Sequence, residues 1–197
     1  MALLFFDTET TGLWDKSLPA GHEGQPRVVQ LAAMQVDPET RRVLQSINLI
    51  IYREEEIPAE SVKVHGTTTE RSQRLGVYEA PALDIFCDMV AGSDLMVAHN
   101  IEFDINIVNN AARLLSGNPK MDVFADKKTF CTMLAAVPVC KFPSKFRRGE
   151  YAWPKLELAI PHLLGREPTD AHQAIGDVVD CMDLFFYLFD LKTGKLG

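Results

Sequence analysis

Five residues of this chain have side chains suited to metal-assisted chemistry on a phosphate: the acids Asp7, Glu9, Asp104 and Asp177, and the histidine His172. Each acid stands next to an apolar run that we expect to be buried, so folding would bring like charges together. Carboxylates a few ångströms apart do not all stay ionised without a counter-charge. The simplest cations for hard oxygen ligands are magnesium and manganese. We therefore predict a site for two such ions with His172 at its rim, an arrangement suited to cutting a phosphodiester.

The spacing of these residues gives each a role. Asp7 and Glu9 flank Thr8 at the end of an apolar run, and in an extended chain residues i and i+2 point to the same side. They would face one site at the rim of a sheet, where α/β proteins bind ligands. His172 and Asp177 are about 140° apart by helical phase, which suits a metal ligand at Asp177 and a mobile base at His172. Each pair also has a plainer explanation when it is taken alone: Asp7 and Glu9 could lie in a solvated turn after a strand, and His172 could be an ordinary histidine near a helix start.

Asp104 is predicted to lie one and a half turns into a helix that opens at His99. Aspartate is a poor residue for a helix interior, and here Phe103 and Ile105 bracket it. The plain alternative is a solvent-facing aspartate on an amphipathic helix. The neighbouring Glu102 is expected to point elsewhere.

The apolar patterning predicts one α/β domain over residues 1–197, with three β-strands followed by alternating helices and strands. A short turn joins the second and third strands, which indicates an antiparallel hairpin. Strands are predicted over residues 3–6, 28–36, 43–52 and 95–98, with a fifth at Val123 and Phe124. Helices are predicted over residues 58–65, 81–90, 99–112, 129–137, 156–164 and 171–191.

The composition is that of an ordinary soluble protein, and a reducing cytoplasm fits it best. Hydrophobic residues make up 47% of the chain, and no apolar run approaches the ~18 residues that cross a bilayer. The start lacks a basic n-region and a cleavage site, so no secretory signal is expected. The four cysteines form no Cys-x-x-Cys pair, which argues against structural zinc and disulfides. A net charge of −7 argues only weakly against a nucleic-acid partner, because bound metal would neutralise part of it.

Taken together and in order, the motifs resemble those of the DEDDh 3′–5′ exonucleases, the DnaQ-like proofreading type with a ribonuclease H-like fold. The first is Phe-Asp-Thr-Glu-Thr-Thr-Gly at 6–12, the second His-Asn-x-x-Phe-Asp at 99–104, and the third His-x-Ala-x-x-Asp at 172–177. The Val-His-Gly at 64–66 falls where that family has the same segment. The resemblance runs from about residue 3 to about residue 190, and three ordered motifs make it specific.

This resemblance implies a central mixed five-stranded sheet and a DNA-trimming activity. Asp7, Glu9, Asp104 and Asp177 would bind two Mg²⁺ or Mn²⁺ ions, with Asp7 touching both, and His172 would act as general base. The reaction would remove nucleoside 5′-monophosphates from the 3′ end of DNA, at single-stranded or frayed ends. A polymerase or another replication protein is a further expected partner, and a membrane is not. The residues expected to hold the terminal nucleotide are Thr8, Thr10, Thr11, Gly12, His65, His99, Asn100 and Phe103.

Residues 141–151 depart from the family pattern by being longer and more basic. This stretch and the residues after it interleave basic and aromatic side chains: Lys141, Phe142, Lys145, Phe146, Arg147, Arg148, Tyr151 and Trp153. That pattern suits single-stranded nucleic acid, in which bases stack and phosphates pair with basic groups. A solvated surface loop above a core Trp153 explains the pattern equally well.

Three other functions remain open at this point. An exoribonuclease or oligoribonucleotide-trimming enzyme would use the same site, since nothing in the sequence reveals how the 2′-hydroxyl is read. A non-catalytic binding module would be expected to have lost at least one of the five catalytic residues, and all are present. A metal-dependent phosphatase or esterase for small molecules fits the acids but fits the basic and aromatic stretch less well.

Overall fold

The computed structural model describes residues 1–145 and 149–195. A five-stranded sheet forms its centre, built from β1 (Leu3–Thr10), β2 (Val28–Val36), β3 (Val43–Ile50), β4 (Leu95–Ala98) and β5 (Lys128–Cys131). The strand order is β3-β2-β1-β4-β5. β2 is antiparallel to both β1 and β3, whereas β4 is parallel to both β1 and β5. The predicted mixed sheet, with three antiparallel strands and then parallel ones, is confirmed.

The described residues also form seven helices: α1 (Ala59–His65), α2 (Thr69–Leu75), α3 (Glu79–Ala91), α4 (Ile101–Ser116), α5 (Thr132–Cys140), α6 (Leu156–Leu164) and α7 (Ala174–Lys192). α3 and α4 cover one face of the sheet, and α7 covers the other. None of the helices in the described part of the chain is both long and apolar enough to cross a membrane.

The central strand β1 contributes side chains to both layers of the core. Leu4 and Phe6 pack among residues of α3 and α4, whereas Leu3 and Phe5 pack among residues of α7. Side chains alternate along a strand. The strand continues through its acidic end, so the side chains at positions 7 and 9 point to the α7 face and the side chain at position 8 points to the other face.

The fifth strand is not where the sequence predicted it. Val123 and Phe124 lie in a turn whose backbone N–H groups donate to Asn109 Oδ1 at 2.8 Å and to Asp122 Oδ1 at 3.0 Å. These side-chain acceptors replace the partners that a strand would need. The strand that pairs with β4 is Lys128–Cys131, so the helix predicted from residue 129 begins only at Thr132.

Several boundaries also differ from the prediction. β1 extends through the acidic motif to Thr10 rather than ending at residue 6. α7 begins at Ala174, so His172 lies before the helix, with a φ of 65°. The helical-phase argument for His172 and Asp177 is therefore wrong, because only Asp177 lies in the helix. The short polar helix α2, which the Thr68 hydroxyl caps by accepting from Arg71 N, was not predicted.

Candidate active site

Three carboxylates meet where β1 ends beside the first turn of α7. Asp7 and Glu9 come from the α7 face of β1, and Asp177 comes from the first turn of α7. One oxygen atom from each lies within 4.8 Å of the others. α7 can begin close to the preceding loop because position 176 is glycine: a Cβ there would collide with the carbonyl oxygen of Thr169. No pattern in the sequence singles out that glycine.

Asp104 reaches the same strand from the opposite layer. It lies in the first turn of α4 and is only 2% exposed, so the solvent-facing alternative is wrong. The pairing of β1 with β4 stops at Phe5 opposite Val97, which leaves the Thr8 N–H without a β4 partner. That N–H and the Thr8 hydroxyl both donate to Asp104 Oδ1, at 3.0 and 2.8 Å. Thr8 therefore fixes the position of Asp104, while the exposed Glu102 points to solvent.

Burial disfavours the ionised form of every carboxyl at this site, and the neighbouring carboxylates add to the effect. Burial, and then the neighbouring carboxylates, hold the pKa of Asp7 well above its ordinary value. Burial and the nearby Asp177 raise the pKa of Glu9 to about 8. Burial raises the pKa of Asp104 to about 7, against the hydrogen bonds from Thr8. Burial also raises the pKa of Asp177 to about 6, although His172 lowers it.

These carboxyls fit a divalent cation. All of the converging donor atoms are hard oxygens, the ligands that Mg²⁺ and Mn²⁺ prefer. A bound cation would favour the ionised form of every carboxyl at once, and its binding would release protons. The described residues thus form a carboxylate cluster that could hold a divalent metal.

His172 stands at the rim of the cluster rather than inside it. Its side chain is 48% exposed, and its Nε2 lies 3.2 Å from Glu157 Oε2 on α6. It shares an open cleft of about 330 Å³ with Asp7 and Asp177. Glu157 was not anticipated, because an acid in the first turn of a helix is ordinarily explained by the helix dipole.

The opposite wall of this cleft is the segment from Trp153 to Glu157. His99 anchors that wall, since its Nδ1 lies 3.0 Å from Thr132 Oγ1 and its Nε2 lies 2.9 Å from the carbonyl oxygen of Pro154. Trp153 is 68% exposed. The alternative of a core tryptophan beneath a surface loop is therefore wrong.

The other residues expected to bind a nucleotide surround the cluster, but they differ in burial and in hydrogen bonding. Asn100 lines the cleft with a φ of 66°, and Phe103 packs against the core on the α4 side. The Thr10 hydroxyl donates to the carbonyl oxygen of Gly12 at 2.6 Å, and the Thr11 hydroxyl accepts from Arg27 N at 2.9 Å. These two bonds shape the loop that follows β1.

His65 is buried, and its segment is tied to the start of α7. Thr67 N–H donates to His65 Nδ1 at 3.1 Å, and the Gln173 side-chain amide donates to the His65 carbonyl oxygen at 2.5 Å. Gln173 follows His172 directly, so this bond joins the two motifs. Of the basic and aromatic residues predicted to contact a strand, Phe146, Arg147 and Arg148 lie outside the described residues.

Comparison with known proteins identifies the family. The family model described as an exonuclease matches residues 4–185, nearly the whole chain. The chain belongs to this exonuclease family.

The chain is similar to a DNA polymerase subunit and to a phage exonuclease. The DNA polymerase III subunit epsilon of Buchnera aphidicola is 26% identical over 146 residues, which are 72% of this chain and 56% of that protein. An uncharacterized exonuclease of Escherichia phage 186 is 26% identical over 178 residues, which are 88% of this chain and 81% of that protein. The chain therefore spans little more than half the length of the first of these relatives.

Solved structures share the fold. Exonuclease I of E. coli, in complex with a dT13 oligonucleotide, superposes with a TM-score of 0.73 at 20% identity. The match covers 99% of this chain but only 42% of that protein. The ribonuclease H-like architecture expected from the motifs is thus confirmed.

Proposed function

We propose that this member of the exonuclease family is a metal-dependent 3′–5′ exonuclease that removes nucleoside 5′-monophosphates from the 3′ end of DNA. Single-stranded or frayed ends are the proposed substrates. The observation that carries the proposal is the convergence of Asp7, Glu9 and Asp177 within 4.8 Å, facing an open cleft that also holds His172. An open cleft admits the end of a strand, and the acids and the histidine are the groups that phosphodiester hydrolysis needs.

Two magnesium or manganese ions are the proposed cofactors. Asp7, Glu9 and Asp177 would hold one, and Asp7 with Asp104 would hold the other. When bound, such ions neutralise charge on the scissile phosphate and lower the pKa of the attacking water. The raised pKa values of these carboxyls support this assignment, because burial, and then repulsion from neighbouring carboxylates, disfavours their ionised forms unless a cation is bound.

His172 is the proposed general base. Its imidazole is exposed and stands beside the carboxylates without joining their cluster, so it is free to take a proton from water and pass it to solvent. The 3.2 Å contact with Glu157 restricts where the ring can point. The backbone turn at a φ of 65° projects His172 out of the line of α7 and towards the cleft.

The substrate and partners are proposed from the relatives. Two relatives are DNA polymerase III epsilon subunits, and the solved neighbour is bound to a DNA oligonucleotide. We therefore place DNA before RNA as substrate, and a polymerase or another replication protein as partner. Residues 1–197 would act as a single exonuclease domain.

A digestion ladder tests the proposal. The protein is incubated with 5′-labelled single-stranded DNA or the matching RNA, first with Mg²⁺ and then with EDTA. We expect a ladder on DNA that shortens one nucleotide at a time from the 3′ end and disappears with EDTA. Faster shortening of the RNA would instead support the oligoribonucleotide-trimming alternative. Intact strands in both Mg²⁺ and Mn²⁺ would contradict the proposal and favour a binding module or a small phosphoester substrate.

A further inference from the structure

A large groove adjoins the catalytic cleft and has no role in the proposed chemistry. It measures about 1080 Å³ and lies between α6 and two stretches that precede it, residues 142–145 and 150–152, which we call the hairpin segment. Hydrogen bonds across the segment define the hairpin: Ala152 N–H donates to the Phe142 carbonyl oxygen at 2.7 Å, and Ser144 N–H donates to the Glu150 carbonyl oxygen at 3.0 Å. Trp153, Pro154 and Lys155 line both the groove and the cleft, so the two are continuous.

The groove is lined mainly by apolar and aromatic side chains. Trp153 is 68% exposed and Tyr151 is 48% exposed. Phe142 and His162 line the groove in ring contact, with centroids 4.8 Å apart. Clustered exposed apolar groups of this size usually mark a binding surface. Exposed aromatic side chains bind nucleic acid by stacking on its bases, whatever the base sequence.

The fold holds Trp153 in place before any ligand arrives. On one side, its neighbour Ala152 is hydrogen-bonded to Phe142. On the other, the Pro154 carbonyl oxygen contacts His99 Nε2 at 2.9 Å. The backbone of this exposed tryptophan is therefore fixed at both flanks. A backbone that is already fixed loses little entropy on binding, which favours affinity for a ligand that contacts this residue.

The electrostatics of the chain also favour an aromatic contact. The net charge of −7 repels a polyanion at long range. Lys145 and Lys155 are basic residues on the groove wall, and Lys155 is already paired with Glu157 at 3.2 Å. Base stacking does not depend on net charge, so an acidic protein can hold a strand by this means.

We propose that the groove binds the nucleotides immediately 5′ to the scissile phosphate, with the indole of Trp153 stacking on a base where the strand leaves the cleft. This inference rests on the proposed function, because it places the 3′ end of the strand at the carboxylate cluster. The continuity between cleft and groove favours a DNA strand over a protein segment as the occupant of the groove. A strand whose 3′ end lies in the cleft must leave along one of its walls, and the wall at Trp153 opens directly into the groove. A protein segment would need no such continuity.

Two measurements on Trp153→Ala test the inference. The first is the affinity for a fluorescently labelled dT8 oligonucleotide in EDTA, which requires no catalysis. The second is kcat/KM for the same oligonucleotide divided by kcat/KM for thymidine 5′-(p-nitrophenyl phosphate), a substrate too short to reach the groove. We expect the affinity and the ratio each to fall about ten-fold, as for the loss of one stacked base.

Two further variants make the result specific. Trp153→Phe should recover most of the affinity and of the ratio, because a phenyl ring still stacks. Tyr78→Ala is the matched control: Tyr78 is an equally exposed aromatic residue at the start of α3, in ring contact with Tyr52 and not among the residues that line the groove. Tyr78→Ala should leave the oligonucleotide affinity and the kcat/KM ratio at their wild-type values. Thermal melts of all the variants check that they fold.

The outcomes separate this inference from the proposed function. Weakened binding by Trp153→Ala in a protein that hydrolyses neither substrate would support the groove and reject the exonuclease. Unchanged binding and an unchanged ratio in a protein that hydrolyses both substrates would overturn the groove alone, and would leave it as a surface for a protein segment. Equal losses in Trp153→Ala and Tyr78→Ala would also overturn it.

Discussion

Two aspartates on α7 have opposite electrostatic surroundings although only three residues separate them. Asp180 is completely buried, and its carboxylate lies 2.8 Å from Arg166 and accepts a hydrogen bond from Thr169 N–H at 2.9 Å. Asp177 is less buried, yet it faces Asp7 and Glu9. The more buried acid is thus the one with an arginine partner.

The difference teaches that burial alone does not identify a functional acid. Asp180 is compensated from within the chain, so it serves to join the segment before α7 to the helix. Asp177 and its neighbours have no arginine or lysine partner among the described residues: only His172 acts on Asp177 and only Thr8 bonds to Asp104. We call these four acids the uncompensated group, and theirs is the state expected of ligands awaiting a cation. Substitutions in the two groups should therefore have opposite effects on activity and on stability.

The largest expected effect is on activity, from the uncompensated group. Asp7→Ala should lower kcat/KM on single-stranded DNA by at least about 10⁴-fold, because a metal ligand supplies several kcal/mol of transition-state stabilisation. It should also abolish the rise in melting temperature that Mn²⁺ gives the wild-type protein. The ladder assay and thermal melts with and without Mn²⁺ measure the two effects.

The control for this change is Glu102→Ala. Glu102 is an exposed acid of α4, two residues from Asp104, and should affect neither quantity. Normal cleavage by Asp7→Ala in Mg²⁺ would show that the site is wrongly assigned.

The next largest effect separates the base from the ligands. His172→Ala should lower kcat by about 10²- to 10⁴-fold, the range for loss of a general base. Strand affinity and the Mn²⁺-dependent rise in melting temperature should stay near wild type, because His172 stands outside the carboxylate cluster. Equilibrium binding of a labelled strand and single-turnover cleavage make the distinction. A variant with full turnover would refute the role of base.

The sequence predicted the acids of the site but not how they are held. Strict alternation along β1 was enough to place Asp7 and Glu9 on one side, since a strand has a period of two. The role of Thr8 was missed, because the bond to Asp104 depends on where β4 stops pairing with β1, which no local pattern encodes. Asp104 itself was placed deeper in its helix than the structure has it.

Elements with a strong apolar pattern were predicted closely, and those stabilised by side-chain bonds were not. β2 and β4 have their predicted bounds, and α6 begins and ends as predicted, with Gly165 after it. The turn at Val123 and Phe124 has the composition of a strand, and only its bonds to Asn109 and Asp122 make it a turn. Trp153 was assigned with equal weight to the core, because composition does not reveal which face of a loop is covered.

Stability should respond in the opposite way to changes in the compensated group. Asp180→Asn should lower the free energy of unfolding by about 2–3 kcal/mol, because it leaves the Arg166 guanidinium without its buried partner. Asp183→Asn is the matched control: Asp183 also pairs with Arg166, at 2.6 Å, but its side chain is 40% exposed, so the substitution should cost at most about 1 kcal/mol. Urea denaturation measures both. Equal losses would remove the distinction between the two aspartates.

A pH dependence of stability tests the uncompensated group directly. The carboxyls of the cluster have raised pKa values in the folded protein, about 6 for Asp177 and about 8 for Glu9. At these groups the folded state therefore binds more protons than the unfolded state, so the contribution of the cluster to stability is greatest at low pH and falls as pH rises from about 5 to 8. Each carboxyl still protonated contributes a slope of about 1.4 kcal/mol per pH unit.

Urea denaturation in EDTA at several pH values measures this slope. Asp7→Asn removes one of the mutually repelling charges, so it should flatten the slope and make the metal-free protein more stable at pH 8. Glu102→Gln should leave the slope unchanged, because Glu102 is exposed to solvent. Comparing the slopes of the two variants with that of the wild type cancels the titration of groups elsewhere in the chain. Saturating Mn²⁺ should flatten the wild-type slope as well, since the cation replaces the protons. A wild-type slope equal to that of Asp7→Asn would mean that the cluster is compensated after all, as Asp180 is.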